Sequence, residues 1–160
     1  MSRATERSAA RLAAVQALYQ MDVSGKGVVD ALAEFETFWI GREVEGITFQ
    51  AADETFFRDI LSGVVREQRA IDSRIDAALS AGWPLRRIEA VLRAILRAGT
   101  YELLSRKDVP AKVVISEYVE VAHAFYGEDE PGLVNAVLDR LARDLRTGEL
   151  KGRDGPPSEG

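Results

Sequence analysis

The sequence predicts an all-α protein of six to seven helices, arranged as two small bundles packed across each other. Three observations carry this. The stretch from Asp108 to Leu145 reads as two amphipathic helices joined by a short acidic turn: Val114, Tyr118, Val121 with Ala122, and Phe125 recur at three- and four-residue spacing, residues 127–132 break the pattern, and Val134, Leu138, Leu141 and Leu145 restart it. A hairpin with two apolar stripes has to bury both against further elements. The most strongly apolar stripe of the chain, Ile88, Val91 with Leu92, Ile95, Gly99 and Leu103, repeats the same period and marks a central helix. The third observation is that the period recurs upstream, in stretches led by Leu12 and by Phe57.

In chain order, the first helix is expected from about Ala4 to Met21, with Leu12, Val15 and Leu18 or Tyr19 facing inward and several alanines allowing close approach. Residues 24–27 form a loop, by their glycines. Val28, Leu32, Phe35 and Trp39 give a second helix, in which Trp39 reads as core rather than as a base-stacking platform. Residues 41–52 lack a period and read as a connecting loop. Asp53 is placed to cap the next helix, whose apolar face is Phe57, Ile60, Leu61 and Val64, with Gly63 permitting a close crossing. Ile71, Ile75 and Leu79 continue the pattern, either in the same helix or in a separate one. Gly82-Trp83-Pro84 is a break, with Pro84 expected near the first turn of the long central helix, which reaches about Ser105. Pro110 suits a first helical turn, where its missing N–H is not needed. Residues 1–146 are expected to form the helical domain, and 147–160, rich in Gly, Pro and charge, a disordered tail.

At 160 residues the chain can enclose a sizeable core, and its 46% hydrophobic and 29% charged content is ordinary for a soluble protein. It has no cysteine, which excludes disulfides and thiolate metal sites. No apolar run reaches signal-peptide or membrane-spanning length, so a cytoplasmic location is expected. The net charge of −5 is unlike that of a typical nucleic-acid binder, but it is unevenly spread: residues 1–20 carry +2, 21–60 carry −6, 61–110 carry +3 and 111–160 carry −4. A local basic face is compatible with that distribution.

Arg3, Arg7 and Arg11 recur every four residues and so share one side of the first helix. Guanidinium forks fit phosphate oxygens, which makes this a candidate phosphate track; the plainer reading is a solvated polar face. Arg86, Arg93 and Arg97 share a face of the central helix, and Glu89 precedes Arg93 by one turn. That face suits RNA, a protein partner or solubility alone. His123, the one histidine, has no nucleophile near it in any recognisable pattern. Glu117 and Glu120 read as surface charge, and residues 128–132 lack the alternating ligands of a calcium loop. No phosphate-cradling glycine loop is present. The chain does not read as an enzyme, and no cofactor or metal is expected.

Asp108-Val109-Pro110, Lys112-Val113, the segment from Glu117 to Ala122, and the run from Leu133 to Asp139 together resemble the C-terminal pattern of the NusB family of transcription antitermination factors. Ala14 to Tyr19, and Leu96-Arg97 followed by Tyr101-Glu102-Leu103, are similar to the same family, so the resemblance runs from about residue 7 to residue 145. It implies a non-catalytic protein that binds the boxA element of nascent single-stranded RNA together with NusE, a small-subunit ribosomal protein, and joins the elongating RNA polymerase complex. It further implies RNA contacts from Arg3, Arg7, Arg11, Tyr19, Lys112, Asp129 and Leu133, and a NusE face including Leu92, Arg93 and Arg97. The chain departs from the family pattern at Leu92, where an acid is common, at Leu133, where an aromatic is usual, and at Ala136, where glycine is usual.

Two other readings stay open. One is a helical scaffold or homodimer that binds no RNA. The other is an RNA-recognition module like that fused to ribosomal RNA cytosine methyltransferases, disfavoured because no cofactor-binding half is expected within these 160 residues.

Overall fold

The computed structural model describes residues 3–38, 43–44, 47–48, 53–79, 88–127 and 129–149; for Arg3, residues 35–38 and the four strand residues it describes the backbone alone. Six helices are defined among them: α1 (Arg3–Ser24), α2 (Val28–Phe38), α3 (Glu54–Ala78), α4 (Ala90–Ser105), α5 (Ala111–Phe125) and α6 (Asp129–Leu145). A further helical turn covers residues 147–149. Inside the expected loop, β1 (Glu43–Val44) and β2 (Ile47–Thr48) pair antiparallel as a two-residue hairpin.

α1, α2 and α3 pack together, α4, α5 and α6 pack together, and α4 touches α1, α3, α5 and α6. The central position follows from its sequence: Ala94, Ile95, Leu96, Ala98, Gly99, Tyr101 and Leu103 are all buried, so α4 is apolar around most of its circumference. Small residues set the crossings. A Cβ on Gly63 of α3 would lie 2.2 Å from the Tyr101 ring, and one on Gly99 would lie 2.8 Å from Leu138 of α6. Both glycines let neighbouring helices approach more closely than a methyl group permits.

The periodicity placed most of the elements, but α4 starts at Ala90, capped by Glu89, rather than near Pro84, and residues 88 and 89 are not helical. Asp53 is the N-cap of α3, its Oδ1 accepting the Phe56 N–H at 2.9 Å. Ile71 and Ile75 continue the same 25-residue helix rather than starting another. Pro110 is the N-cap of α5, one residue before its first turn. The inward stripes of α5 and α6 hold, except that Phe125 is 40% exposed at the end of α5. Trp39, Gly82-Trp83-Pro84, Arg86 and Glu128 lie outside the described residues.

The boundary expected after residue 146 needs correction. Arg146 is buried, and Glu149 accepts the Ala111 N–H at 2.7 Å, so packed chain continues at least to residue 149. Residues 150–160 of the expected tail lie outside the described residues.

Candidate nucleic-acid interface

Phe56, in the first turn of α3, organises the site. The Asp53 N–H donates to the Glu6 carbonyl at 3.1 Å and the Asp53 side chain caps α3, which together dock the start of α3 on α1. Three guanidiniums gather on the buried Phe56 ring: Arg7 at 4.4 Å, Arg106 at 4.8 Å and Arg11 at 4.9 Å from its centroid.

These three arginines are not equivalent. Arg11 is 3% exposed. It grips the fully buried Glu102 with two bonds, Nε to Oε2 at 2.8 Å and Nη2 to Oε1 at 3.0 Å, and Nη1 donates to Glu117 at 2.9 Å. Tyr118 Oη donates to Glu102 Oε2 at 2.5 Å, and Ser8 Oγ donates to Glu117 at 2.5 Å. Burial by itself would lower the Arg11 pKa, but Glu102 above all, then Tyr118 and Glu117, raise it, so the guanidinium keeps its charge. Burial pushes the Tyr118 phenol well above its ordinary value, with the Glu102 charge adding to the effect.

Arg106, the C-cap residue of α4, donates to both Asp108 oxygens at 2.9 Å and to Asp59 at 3.0 Å. Its hydrogen bonds are the main reason the Asp108 carboxyl is pulled down to about 2. Tyr101 Oη donates to the other Asp59 oxygen at 2.8 Å. Arg7 is held more loosely. Its nearest carboxylates are Asp108 at 3.6 Å and Asp53 at 3.7 Å, both longer than hydrogen bonds, and its buried Nε has no hydrogen-bond partner.

The expectation of three aligned, solvent-facing guanidiniums therefore needs correction. Arg11 is sealed inside the protein, because an arginine on the α1 side facing α4 meets a carboxylate there and is desolvated with it. Glu117, read as surface charge, is one of its partners. Counted together, Arg7, Arg11 and Arg106 face Asp53, Asp59, Glu102, Asp108 and Glu117, three positive charges against five negative. The Arg3 side chain lies outside the described atoms.

The other predicted residues fall on α1, α5 and α6. The Arg11–Glu102 and Asp22–Arg93 bonds make α1 antiparallel to α4; Tyr118–Glu102 and Tyr126–Glu89 do the same for α5. α1 and α5 consequently run parallel. Arg7 and the exposed Lys112 lie toward their N-terminal ends; Tyr19, half-buried, lies toward the C-terminal end of α1, and Asp129 and Leu133 follow the C-terminal end of α5. The 13 residues from Lys112 to Phe125 separate the two groups by about 20 Å. The predicted residues thus form two groups at opposite ends rather than one patch.

The expected partner face also changes. Leu92 is 6% exposed and belongs to the core, since its position on α4 faces inward. Arg93 donates to Asp22 at 2.7 and 3.0 Å and to the Ile88 carbonyl at 2.7 Å. Arg97 binds Asp72 with two bonds of 2.8 Å and lies 3.8 Å from Asp22. Both side chains tie α4 to its neighbours. Glu89 turns instead to the Val91 N–H and the Tyr126 hydroxyl. Arg97 also borders a cleft of about 180 Å³ between α1 and α3, with Leu18, Met21, Lys26 and Val65.

Sequence reading missed Phe56, Asp59 and Arg106 as parts of this site. Glu102 carried a usable signal: it stands seven residues after Ile95 and three after Gly99, on an inward stripe, and a carboxylate at such a position calls for a buried cation.

The chain has close relatives. Transcription antitermination protein NusB of Bradyrhizobium sp. (strain BTAi1 / ATCC BAA-1182) is 64% identical over 148 residues, 92% of this chain and 88% of the relative. The protein of the same name from Nitrobacter hamburgensis is 62% identical over 148 residues, 92% of both chains. Among solved structures, T. maritima NusB superposes with a TM-score of 0.74 at 28% identity, covering 94% of this chain and 98% of that one. A crystal structure of antitermination factors NusB and NusE in complex with double-stranded RNA matches at 0.73 and 25% identity, over 90% of this chain and 99% of the other. The family model described as the NusB family matches residues 8–143, and the chain belongs to that family.

Proposed function

We propose that this chain is a non-catalytic antitermination factor of the cytoplasm that binds boxA RNA together with NusE and, in that complex, joins elongating RNA polymerase to support ribosomal RNA transcription. Family membership and the similarity to a NusB–NusE–RNA complex support this reading. The observation that carries the RNA contact is the state of Arg7. Of the three guanidiniums on Phe56 it alone lacks a hydrogen bond among the described residues, and it is stacked on an aromatic face that fixes its plane. A phosphate oxygen arriving at its terminal nitrogens would gain a charge-assisted bond without first breaking one. Lys112, exposed and without an ion pair among the described residues, adds a second cation at the same end. Arg3 completes the proposed phosphate contacts, while Tyr19, Asp129 and Leu133 would meet the strand farther along. For NusE, Arg97 at the rim of the α1–α3 cleft and Arg93, one turn before it on α4, remain the proposed contacts.

Single-stranded RNA suits the separated groups, because an unstacked strand can follow two helices and present base faces to Tyr19. The structural neighbour holds double-stranded RNA, so a duplex belongs in the same assay. A gel shift with boxA RNA, single- and double-stranded, with and without NusE and across a salt series, tests the proposal. Affinity should fall with salt by about 0.7 log units per phosphate contact per decade for a single strand. Arg7→Ala should weaken binding about ten-fold and lower that slope by about one contact, with helicity unchanged. Unaltered RNA binding by Arg7→Ala would refute the assignment. Arg11→Glu is unsuitable here, since it would disrupt the fold rather than the surface.

A further inference from the structure

Arg146 is a buried cation with a single carboxylate partner among the described residues. Its side chain is 2% exposed. Four of its five N–H groups go to main-chain carbonyls: Nε to Leu103 at 2.8 Å, Nη1 to Val109 at 3.0 Å, and Nη2 to Glu102 at 3.1 Å and Arg106 at 2.9 Å. Carbonyl dipoles position the guanidinium at the end of α4 but do not neutralise it. The fifth N–H, on Nη1, points to Glu149 Oε1 at 2.5 Å, and Glu149 is the only carboxylate paired with Arg146 among the described residues. The other Glu149 oxygen accepts the Ala111 N–H, at the first turn of α5, at 2.7 Å. Pro110, the α5 N-cap, offers no side-chain cap there. Glu149 itself is exposed. Partial burial would raise its pKa, but the Ala111 N–H, Arg146 and Lys107 together lower it.

We propose that Arg146 and the Ala111 N–H form a phosphate-binding socket, flanked by Lys107, whose Nζ donates to the Leu145 carbonyl at 3.0 Å, and held in this structure by the chain's own Glu149 carboxylate, which an incoming phosphate group displaces. The geometry suits that ligand. A phosphate presents two anionic oxygens that can reproduce both Glu149 bonds, one to a buried guanidinium and one to a helix N-terminal amide, where the macrodipole favours negative charge. Removing Glu149 leaves a buried charge uncompensated and two N–H groups, on Arg146 and Ala111, without their partner, and both effects are strong drives to recruit an anion. Because Glu149 is only three residues from Arg146, it competes intramolecularly and keeps the socket closed to weak anions. The position, beside Asp108 and Lys112, lets the phosphate come either from solution or from an RNA strand crossing the start of α5.

Inorganic phosphate is titrated into the intact chain, Glu149→Ala and Glu149→Gln while the Ala111 amide and the Arg146 Nε–H are followed by NMR. Both variants should show saturable shifts at these two groups with a dissociation constant on the order of millimolar, and the intact chain should need about five-fold more phosphate or greater. Lys107→Ala in the Glu149→Ala background should weaken the response. A second arm uses single-stranded boxA RNA: tighter binding by Glu149→Ala, with a salt slope larger by about 0.7, identifies the RNA backbone as the source. Shifts with phosphate and no change with RNA identify a free anion instead, and still support the socket. Absence of shifts at Ala111 and Arg146 in both variants, or equal response in the intact chain, overturns it. The phosphate arm stands whether or not the chain binds RNA.

Discussion

Arg11 and Arg97 are each held by a bidentate carboxylate at 2.8 to 3.0 Å, and both lie on helices whose spacing suggested a solvent-facing arginine row. Their surroundings differ. Arg11 and Glu102 are cut off from water and share a network with Tyr118, whereas Arg97 and Asp72 keep a rim of solvent and face a cleft. Attraction within an ion pair grows as water is excluded, but so does the cost of desolvating each charge. The buried pair is therefore a point where the fold fails if one partner is lost. The rim pair is a modest tether that salt can weaken.

Glu102→Gln tests the first half of that contrast most severely. It keeps the shape and removes the charge beneath Arg11, and a loss of about 3–5 kcal/mol in urea denaturation is expected for a buried guanidinium that loses its bidentate counter-charge and keeps only the partly exposed Glu117. A loss below about 1 kcal/mol would mean that water reaches Arg11, and the contrast would vanish. Asp72→Ala should cost about 1 kcal/mol, and less as ionic strength rises, because its pair with Arg97 is partly screened. Equal salt sensitivity in the two variants would argue that the pairs are equally hydrated.

The smallest effect is at alkaline pH. Burial and then Glu102 raise the Tyr118 pKa in the folded state, so an unfolded chain ionises this phenol first. The resulting stability is fully present below about pH 10, the unfolded value, and is lost as pH rises beyond it. Denaturation midpoints followed from pH 8 to 11 should fall at the upper end, and Tyr118→Phe should flatten that decline.

Asp108 and Arg146 show where reading the chain stopped. The Asp-Val-Pro signal correctly located the start of α5, since proline and capping preferences are local backbone properties. That Asp108 would clamp Arg106 and stand near Arg7 depends on α1, α3 and the end of α4 meeting there, and no spacing encodes it. Arg146 looked like the last residue before a polar tail, because composition after it is tail-like. Its burial comes from the Glu102, Leu103 and Arg106 carbonyls gathered at the C-terminal end of α4, acceptors that meet it only when α6 is docked beside them.

The sequence by itself determined the helices, their inward stripes and the family, because periodicity, caps and motif order are written within one turn or one motif of chain. It determined which residues share a side of a helix. Only the tertiary structure decided what each side faces: Arg11 and Leu92 went inward and Phe125 outward, and Arg7 was left with donors to offer. The physical reason is that exposure and charge pairing depend on which helices pack on which face, and a charge four residues along a helix has no way to signal the carboxylate that waits across the interface.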